Sequence, residues 1–344
     1  MIPDLTLSPL AWAAIATWAG ALACVLITTP LIGRIAWATG YLDHPEARKL
    51  HLSATPLLGG VALALAALVG WGLGTWSLAL GFPARLAWWA AGACTAMALG
   101  LADDRFGMQP APKLIGQFVA AILFLKGGVY PQVYFGPFWG QVISALWIVG
   151  LMNATNFLDN MDGIVGGMAA ICGFAFAALL AAWGRPLEAL IALGLAGASF
   201  GFLRYNFAPA RIFLGDAGSL FVGYVLSALG LMAATSGPGL SGVMASLLVL
   251  GFPLFDTTFV VGVRLFEGRR IYVGGRDHTT HRLSRIAGGS ASAALRVYAI
   301  TAALAASGIF LGLQPGGRVA VPLLLVWGLL LAILGRHLAR VPQL

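Results

Sequence analysis

Gly163-Ile-Val-Gly-Gly-Met-Ala-Ala-Ile-Cys-Gly-Phe-Ala-Phe-Ala-Ala-Leu-Leu-Ala-Ala-Trp183 carries no charged side chain. As an α-helix such a stretch extends about 30 Å, the thickness of the hydrocarbon core of a bilayer. Comparable apolar runs recur at 9–37, 58–80, 85–102, 113–130, 139–155, 187–205, 219–235, 241–264, 291–313 and 319–339, giving about eleven spans. The expected fold is therefore all-α: a polytopic membrane protein forming a single transmembrane domain. Composition agrees. Of 344 residues, 60% are hydrophobic and only 9% charged, with a mean hydropathy of +0.90. A soluble domain of this size needs far more charge to cover its surface. Met1–Asp4 lacks the basic n-region of a cleavable signal, so the first apolar run is expected to be retained. Cys24, Cys94 and Cys172 lie inside apolar runs without metal-like spacing and read as small buried hydrophobes, with no disulfide and no zinc expected.

The loops between the runs alternate in charge. One set holds Arg48 and Lys49, Arg105 and Lys113, Arg204 and Arg211, and Arg264, Arg269, Arg270, Arg276, Arg282 and Arg285. The other set holds only Arg85, Lys126, Arg185 and Arg318 near its edges. By the positive-inside rule the first set is cytoplasmic, which puts the N-terminus outside and the C-terminus inside. The cytoplasmic loops fall at about 38–57, 103–112, 153–163, 205–219 and 265–290. The net charge of +8 fits this topology and does not call for nucleic acid. Acids keep to the same face: of twelve Asp and Glu residues, only Asp4 and Glu188 lie clearly outside. Acids contribute little to insertion, so this enrichment points to function.

Five groups carry the chemistry. Asp103-Asp104 ends the third run, where two like charges oppose both each other and the helix dipole, a penalty that a divalent cation relieves. Asn153-Ala-Thr-Asn156-Phe-Leu-Asp159-Asn160-Met-Asp162-Gly163 sets amides and carboxylates among apolar residues, suited to a hard cation or to the polar edge of a base and sugar. Tyr205-Asn206-Phe-Ala-Pro209-Ala-Arg211-Ile-Phe213-Leu-Gly215-Asp216-Ala-Gly218-Ser219 puts Asp216 in a glycine-flanked turn at a helix start, where backbone N–H groups approach a phosphate. Gly275-Arg276-Asp277-His278-Thr-Thr-His281-Arg282 offers histidines and arginines to a phosphate, with zinc the weaker reading. Asp43-His-Pro45-Glu-Ala-Arg48-Lys49-Leu-His51 sets cations beside lipid headgroups. Asp256, inside the ninth run, is expected to pair with an inward-facing arginine such as Arg264.

Together these motifs resemble the polyprenyl-phosphate N-acetylhexosamine-1-phosphate transferase family (glycosyltransferase family 4), over about Asp43 to Leu283. The resemblance implies transfer of a sugar-1-phosphate, N-acetylglucosamine-1-phosphate above all, from a UDP-sugar to polyprenyl (undecaprenyl) phosphate. UMP is released and a lipid-linked sugar for cell-envelope polysaccharide is formed. It implies a multi-pass protein of the inner (plasma) membrane with its site on the cytoplasmic face. The implied cofactor is magnesium, with manganese as a substitute, and homodimer formation is left open. By this resemblance Asp103 and Asp104 match the catalytic paired acids, and Asp216, with Asp104 beside it, the metal site. Asn156, Asp159 and Asp162 match the nucleotide-site stretch, Asp159 and Asp162 being counted as catalytic candidates. Arg48, Lys49 and the His278 loop match elements around the phosphates and sugar. His51, Asn153, Asn206, Arg276, His281 and Arg282 complete the candidate substrate-binding set.

Two departures stand out: Thr280 where the initiating N-acetylglucosamine enzymes usually carry His, and Asn160 where many members have Gly. Both bear on the sugar more than on the reaction. The triple-His stretch of the peptidoglycan branch is absent. Asp103 is the expected general base, with a covalent aspartyl-phosphate as the alternative route. The rival of another class is a transporter for an anionic substrate; transporters place charge near the midplane in repeated halves, and neither feature is evident.

Overall fold

The computed structural model describes residues 7–43, 54–270, 275, 277–314 and 319–341. It is built of helices: α1 (Pro9–Thr39), α2 (Gly59–Ser77), α3 (Ala84–Phe106), α4 (Pro110–Lys126), α5 (Gln132–Leu158), α6 (Ile164–Ala182), α7 (Pro186–Asn206), α8 (Gly215–Ser236), α9 (Leu240–Val249), α10 (Gly251–Phe266), α11 (Thr279–Ala287), α12 (Ser290–Leu313) and α13 (Ala320–Ala339). Two short antiparallel strands, β1 (Leu42–Asp43) and β2 (Thr55–Pro56), pair Leu42 with Pro56. The chain is an all-α polytopic membrane protein. Among the described residues nine helices are long and apolar enough to span, and the bent pair α9–α10 makes a tenth candidate. The fourth expected run is the 17-residue α4.

The ninth run departs from expectation, because it is two helices meeting at 66°. Pro253, in the first turn of α10, has no N–H to offer the carbonyl of Val249 four residues back. That carbonyl instead accepts the thiol of Cys172 at 3.1 Å, so it is not left stranded in the apolar interior. The predicted 265–290 loop also differs. It contains α11, a nine-residue helix closed by Gly288 in the left-handed conformation.

Helix α8 sits at the centre, packed by α2, α3, α5, α6 and α9. Lipid tails are as apolar as leucine, so close backbone approach at small residues, rather than water exclusion, holds such helices together. A Cβ on Gly60 of α2 would lie 2.2 Å from the Gly218 Cα of α8, and one on Gly100 of α3 would lie 2.4 Å from the Ala217 Cα. Three interfaces of α8 therefore tolerate nothing larger than hydrogen, the third being Gly223 against Met152 of α5 at 2.8 Å. The tight seams lie at one end of the bundle, where α3, α5 and α7 finish and α4, α6 and α8 begin.

Gly60→Val is expected to cost about 1–3 kcal/mol of overpacking, read as a lower thermal midpoint in detergent. Gly150→Ala, at a position with nothing within 4 Å, leaves that midpoint unchanged or higher.

Candidate active site

The end of α3 and the start of α8 meet head to tail. Gly215, at φ +73, turns the chain into α8; a side chain there would strike the Leu57 carbonyl at 2.5 Å and the Asp104 carboxylate at 2.8 Å. That close approach lets Asp104 reach across as a cap. Its Oδ1 accepts the Asp216 N–H at 2.8 Å and its Oδ2 accepts the Ala217 N–H at 3.1 Å. The carboxylate is unfavourable at its own C-terminal helix end and favourable at the neighbouring N-terminal one, where free N–H groups and the dipole await an anion.

Asp103 is compensated differently. Its Oδ1 accepts the Met108 N–H at 2.6 Å, and its Oδ2 lies 2.5 Å from the Lys113 ammonium. Lys113, from the first turns of α4, also donates to Asp216 Oδ2 at 2.7 Å and to Asn156 Oδ1 at 3.0 Å. Asn156, in the last turn of α5, donates to Asp216 Oδ1 at 2.8 Å and to the Ser219 hydroxyl at 2.9 Å. Four helix ends thus converge on one patch of charge. Asp216 is the more open member, its side chain 35% exposed against 10% for Asp103. The sequence reading counted Lys113 only as a topology charge. The available signal was its place in the first turns of the helix that follows Asp103-Asp104 in the same hairpin.

Asp159 caps α5 just outside the span. Burial first, then the negative charges of Asp216, Asp104 and Asp162, push its carboxyl well above the usual carboxylate range. Its charge is thus coupled to the patch. Asp162 faces a different duty, since its Oδ2 accepts the Ala210 N–H at 2.9 Å and pins the loop leading into α8. Asn206 is buried and holds the same loop, accepting from Gly163 N–H and donating to the Ile212 carbonyl. Asn153 lies a turn deeper along α5, in a reciprocal amide pair with Gln117 of α4 and bonded to the Val149 carbonyl.

The His278 loop is built over α10. Asp256, fully buried, accepts the Thr279 N–H and hydroxyl and sits 2.9 Å from His278 Nδ1. The expected Asp256–Arg264 pair does not form. Arg264 lies about 12 Å further along the helix and grips Asp277 in a bidentate contact at 2.7 and 2.8 Å. Burial acts to raise the Asp277 carboxyl, but the Arg264 guanidinium overrides it and holds the group at about 2. Arg269 adds a contact to Asp277 at 3.0 Å. Arg282 is buried and spent on the end of α13, donating to the Leu338, Ala339 and Val341 carbonyls. His278 packs edge-on against His281 and Phe157, which brings the loop beside the end of α5. The two departures noted in the sequence are joined here: the Thr280 hydroxyl donates to Asn160 Oδ1 at 2.6 Å. Arg48, Lys49, His51 and Arg276 lie outside the described residues.

The family described as Glycosyl transferase family 4 matches residues 86–234, the segment that contains Asp103, Asp104, Lys113, Asn156, Asp159, Asp162 and Asp216. The chain is 33% identical over 270 residues to a probable undecaprenyl-phosphate N-acetylglucosaminyl 1-phosphate transferase of Bacillus subtilis, covering 75% of this chain and 74% of that one. It is 32% identical over 337 residues to the decaprenyl-phosphate N-acetylglucosaminephosphotransferase of Mycobacterium tuberculosis, covering 86% and 82%. It is 28% identical over 257 residues to an undecaprenyl-phosphate alpha-N-acetylglucosaminyl 1-phosphate transferase of Thermotoga maritima, covering 75% and 77%.

Asp104→Ala removes both acceptors that cap α8 and is expected to cost about 0.5–2 kcal/mol, seen as a lower thermal midpoint. Asp104→Asn keeps one acceptor oxygen and loses less.

Proposed function

This chain belongs to glycosyl transferase family 4, the polyprenyl-phosphate N-acetylhexosamine-1-phosphate transferases, and on that premise we propose its reaction, site and orientation. The protein transfers N-acetylglucosamine-1-phosphate from UDP-N-acetylglucosamine to a polyprenyl phosphate. An oxygen of the lipid phosphate attacks the sugar-bearing phosphorus, the bridging P–O bond of the diphosphate breaks, and its electron pair leaves with UMP. The observation that carries this reading is the Asp103–Lys113–Asp216–Asn156 cluster capped by Asp104, set where four helix ends meet at one membrane boundary. The transporter reading finds no support in these relatives.

Both substrates are anions, so charge repulsion is the barrier that the site must lower. Lys113 holds a positive charge between two carboxylates and is the cation of the cluster that could face the reacting phosphates. A phosphate monoester has a second pKa of about 6, so the acceptor arrives largely deprotonated and needs little from a general base. Both Asp103 oxygens are already engaged, by Met108 N–H and Lys113, which favours direct displacement over attack by Asp103. His278, its Nδ1–H held by Asp256, keeps Nε2 as an acceptor for a hydroxyl of the sugar or nucleotide. The Asn160–Thr280 bond ties this loop to the acidic stretch, where it would bear on how the sugar is held.

The donor set fits magnesium: hard carboxylate and amide oxygens from Asp216, Asp104 and Asn156. Among the described residues no three His, Cys, Asp or Glu side chains form a ready metal cage. When bound, magnesium or manganese would be held by Asp216 and Asp104 and would supply positive charge against the diphosphate. The lipid tail stays in the bilayer while its phosphate reaches the boundary. An apolar groove of about 620 Å³ between α9, α10, α12 and α13, with Arg336 among its lining residues, is a place where that tail could lie. The basic residues of this face, Arg105, Arg204, Arg211 and Arg285 among those described, support a cytoplasmic orientation at the inner membrane.

Purified protein given UDP-N-acetylglucosamine, magnesium and polyprenyl phosphate should release UMP, and should stop on chelation of the metal. Failure with every UDP-sugar tried, in folded protein, would sink the proposal. Asp216→Asn and Lys113→Met are each expected to lower turnover at least about 100-fold, with the thermal midpoint kept within a few degrees. Incubation with donor labelled at the sugar phosphate, without lipid, should leave the protein unlabelled. A labelled aspartate would replace direct displacement by the two-step route.

A further inference from the structure

Arg85 and Asp103 stand at opposite ends of α3, about 27 Å of helix apart, so α3 also reaches the membrane face remote from the acidic cluster. There Glu188, in the first turn of α7, is buried at 3% exposure between Arg85 at 3.5 Å and Arg185 at 3.6 Å. The two arginines are 42% and 44% exposed, and contacts of this length leave most of their donors free. Lys126, at the end of α4, lies 4.7 Å from the Trp88 ring centroid on the same face. Two arginines therefore flank one buried carboxylate, with Lys126 on the same face, where the positive-inside rule leaves basic residues scarce.

Directly beneath lies an apolar cavity of about 120 Å³ between α2, α3, α7 and α8, its walls including Trp71, Phe82, Leu86, Trp89, Tyr224 and Met232. Arg85 precedes the wall residue Leu86, and its guanidinium lies 5.7 Å from the ring centroid of Trp89, another wall residue. Phe82 and Leu68, at 64% and 54% exposure, open it sideways to the bilayer. The indole N–H of Trp71 is buried without an acceptor among the described residues, an unmet donor at the wall.

We propose that this is a binding site for an anionic glycerophospholipid of the leaflet opposite the acidic cluster. The phosphate lies on Arg85 and Arg185, and a segment of one acyl chain enters the cavity, the rest remaining in the bilayer. The excess positive charge selects an anionic head, and the apolar, laterally open walls select a chain-bearing lipid over a free phosphate. The site is independent of the transfer chemistry and touches none of its residues.

Native mass spectrometry of the detergent-purified protein, titrated with phosphatidylglycerol and phosphatidylcholine, tests this. Phosphatidylglycerol should be retained and phosphatidylcholine lost. The double variant Arg85→Gln/Arg185→Gln should weaken retention about 30-fold, as two interfacial arginines contribute against an anionic lipid. Ala90→Trp, which fills the cavity mouth from an exposed position, should weaken it without altering charge. Lipid-free thermal midpoints equal to wild type show that the variants are folded. Equal retention of both lipids, or unchanged phosphatidylglycerol retention in both variants, overturns the site. Displacement by glycerol phosphate alone reduces it to a headgroup contact, and displacement by polyprenyl phosphate reassigns it to the acceptor; either result also overturns the proposal.

Discussion

The carboxylate of Asp104 accepts two backbone N–H groups from the first turn of α8, and much of the molecule is arranged around that contact. A charged group at the edge of a hydrocarbon slab must be compensated where it stands, because water cannot follow it inward. At the end of α3 two adjacent carboxylates face their own helix's negative pole. They are tolerable because α8 presents its positive pole to one and α4 presents Lys113 to the other. The compensation fixes the relative heights of three helices, and the glycine seams of α8 hold them there.

Those seams explain why the bundle is tight at this end. Gly60 and Gly100 bring α2 and α3 within backbone contact of α8, and Gly215 leaves no room for a side chain beneath Asp104. The same economy of volume appears at the α9–α10 break. There Pro253 frees a carbonyl and the small Cys172 satisfies it. The break turns α10 so that Asp256 anchors the start of α11 and the histidine loop beside the end of α5.

Several polar residues near the cluster hold the scaffold on which it stands. Asp162 and Asn206 fasten the loop ahead of α8, Arg282 fastens the end of α13, and Arg264 with Asp277 locks the base of the histidine loop. These bonds matter to the chemistry through position. In the proposed reaction an anionic donor and an anionic acceptor meet at this carboxylate-rich cluster, where small displacements of Lys113 or Asp216 would change the balance of charge.

From the sequence alone came the membrane class, the helical runs and the gathering of acids on one face, since each rests on local hydropathy or on charge placement between runs. The motif stretches around Asp103, Asp159, Asp216 and His278 were legible for the same reason: each is contiguous. Only the tertiary structure decided how separate stretches share their charges. The Asp104 cap on α8, the Lys113 bridge and the Asn160–Thr280 bond join residues far apart in the chain, and hydropathy carries no trace of such partners. Arg264 shows the limit plainly. Its spacing on α10 offered Asp256 as a partner, but a rigid helix keeps those two apart and the returning chain delivered Asp277 instead.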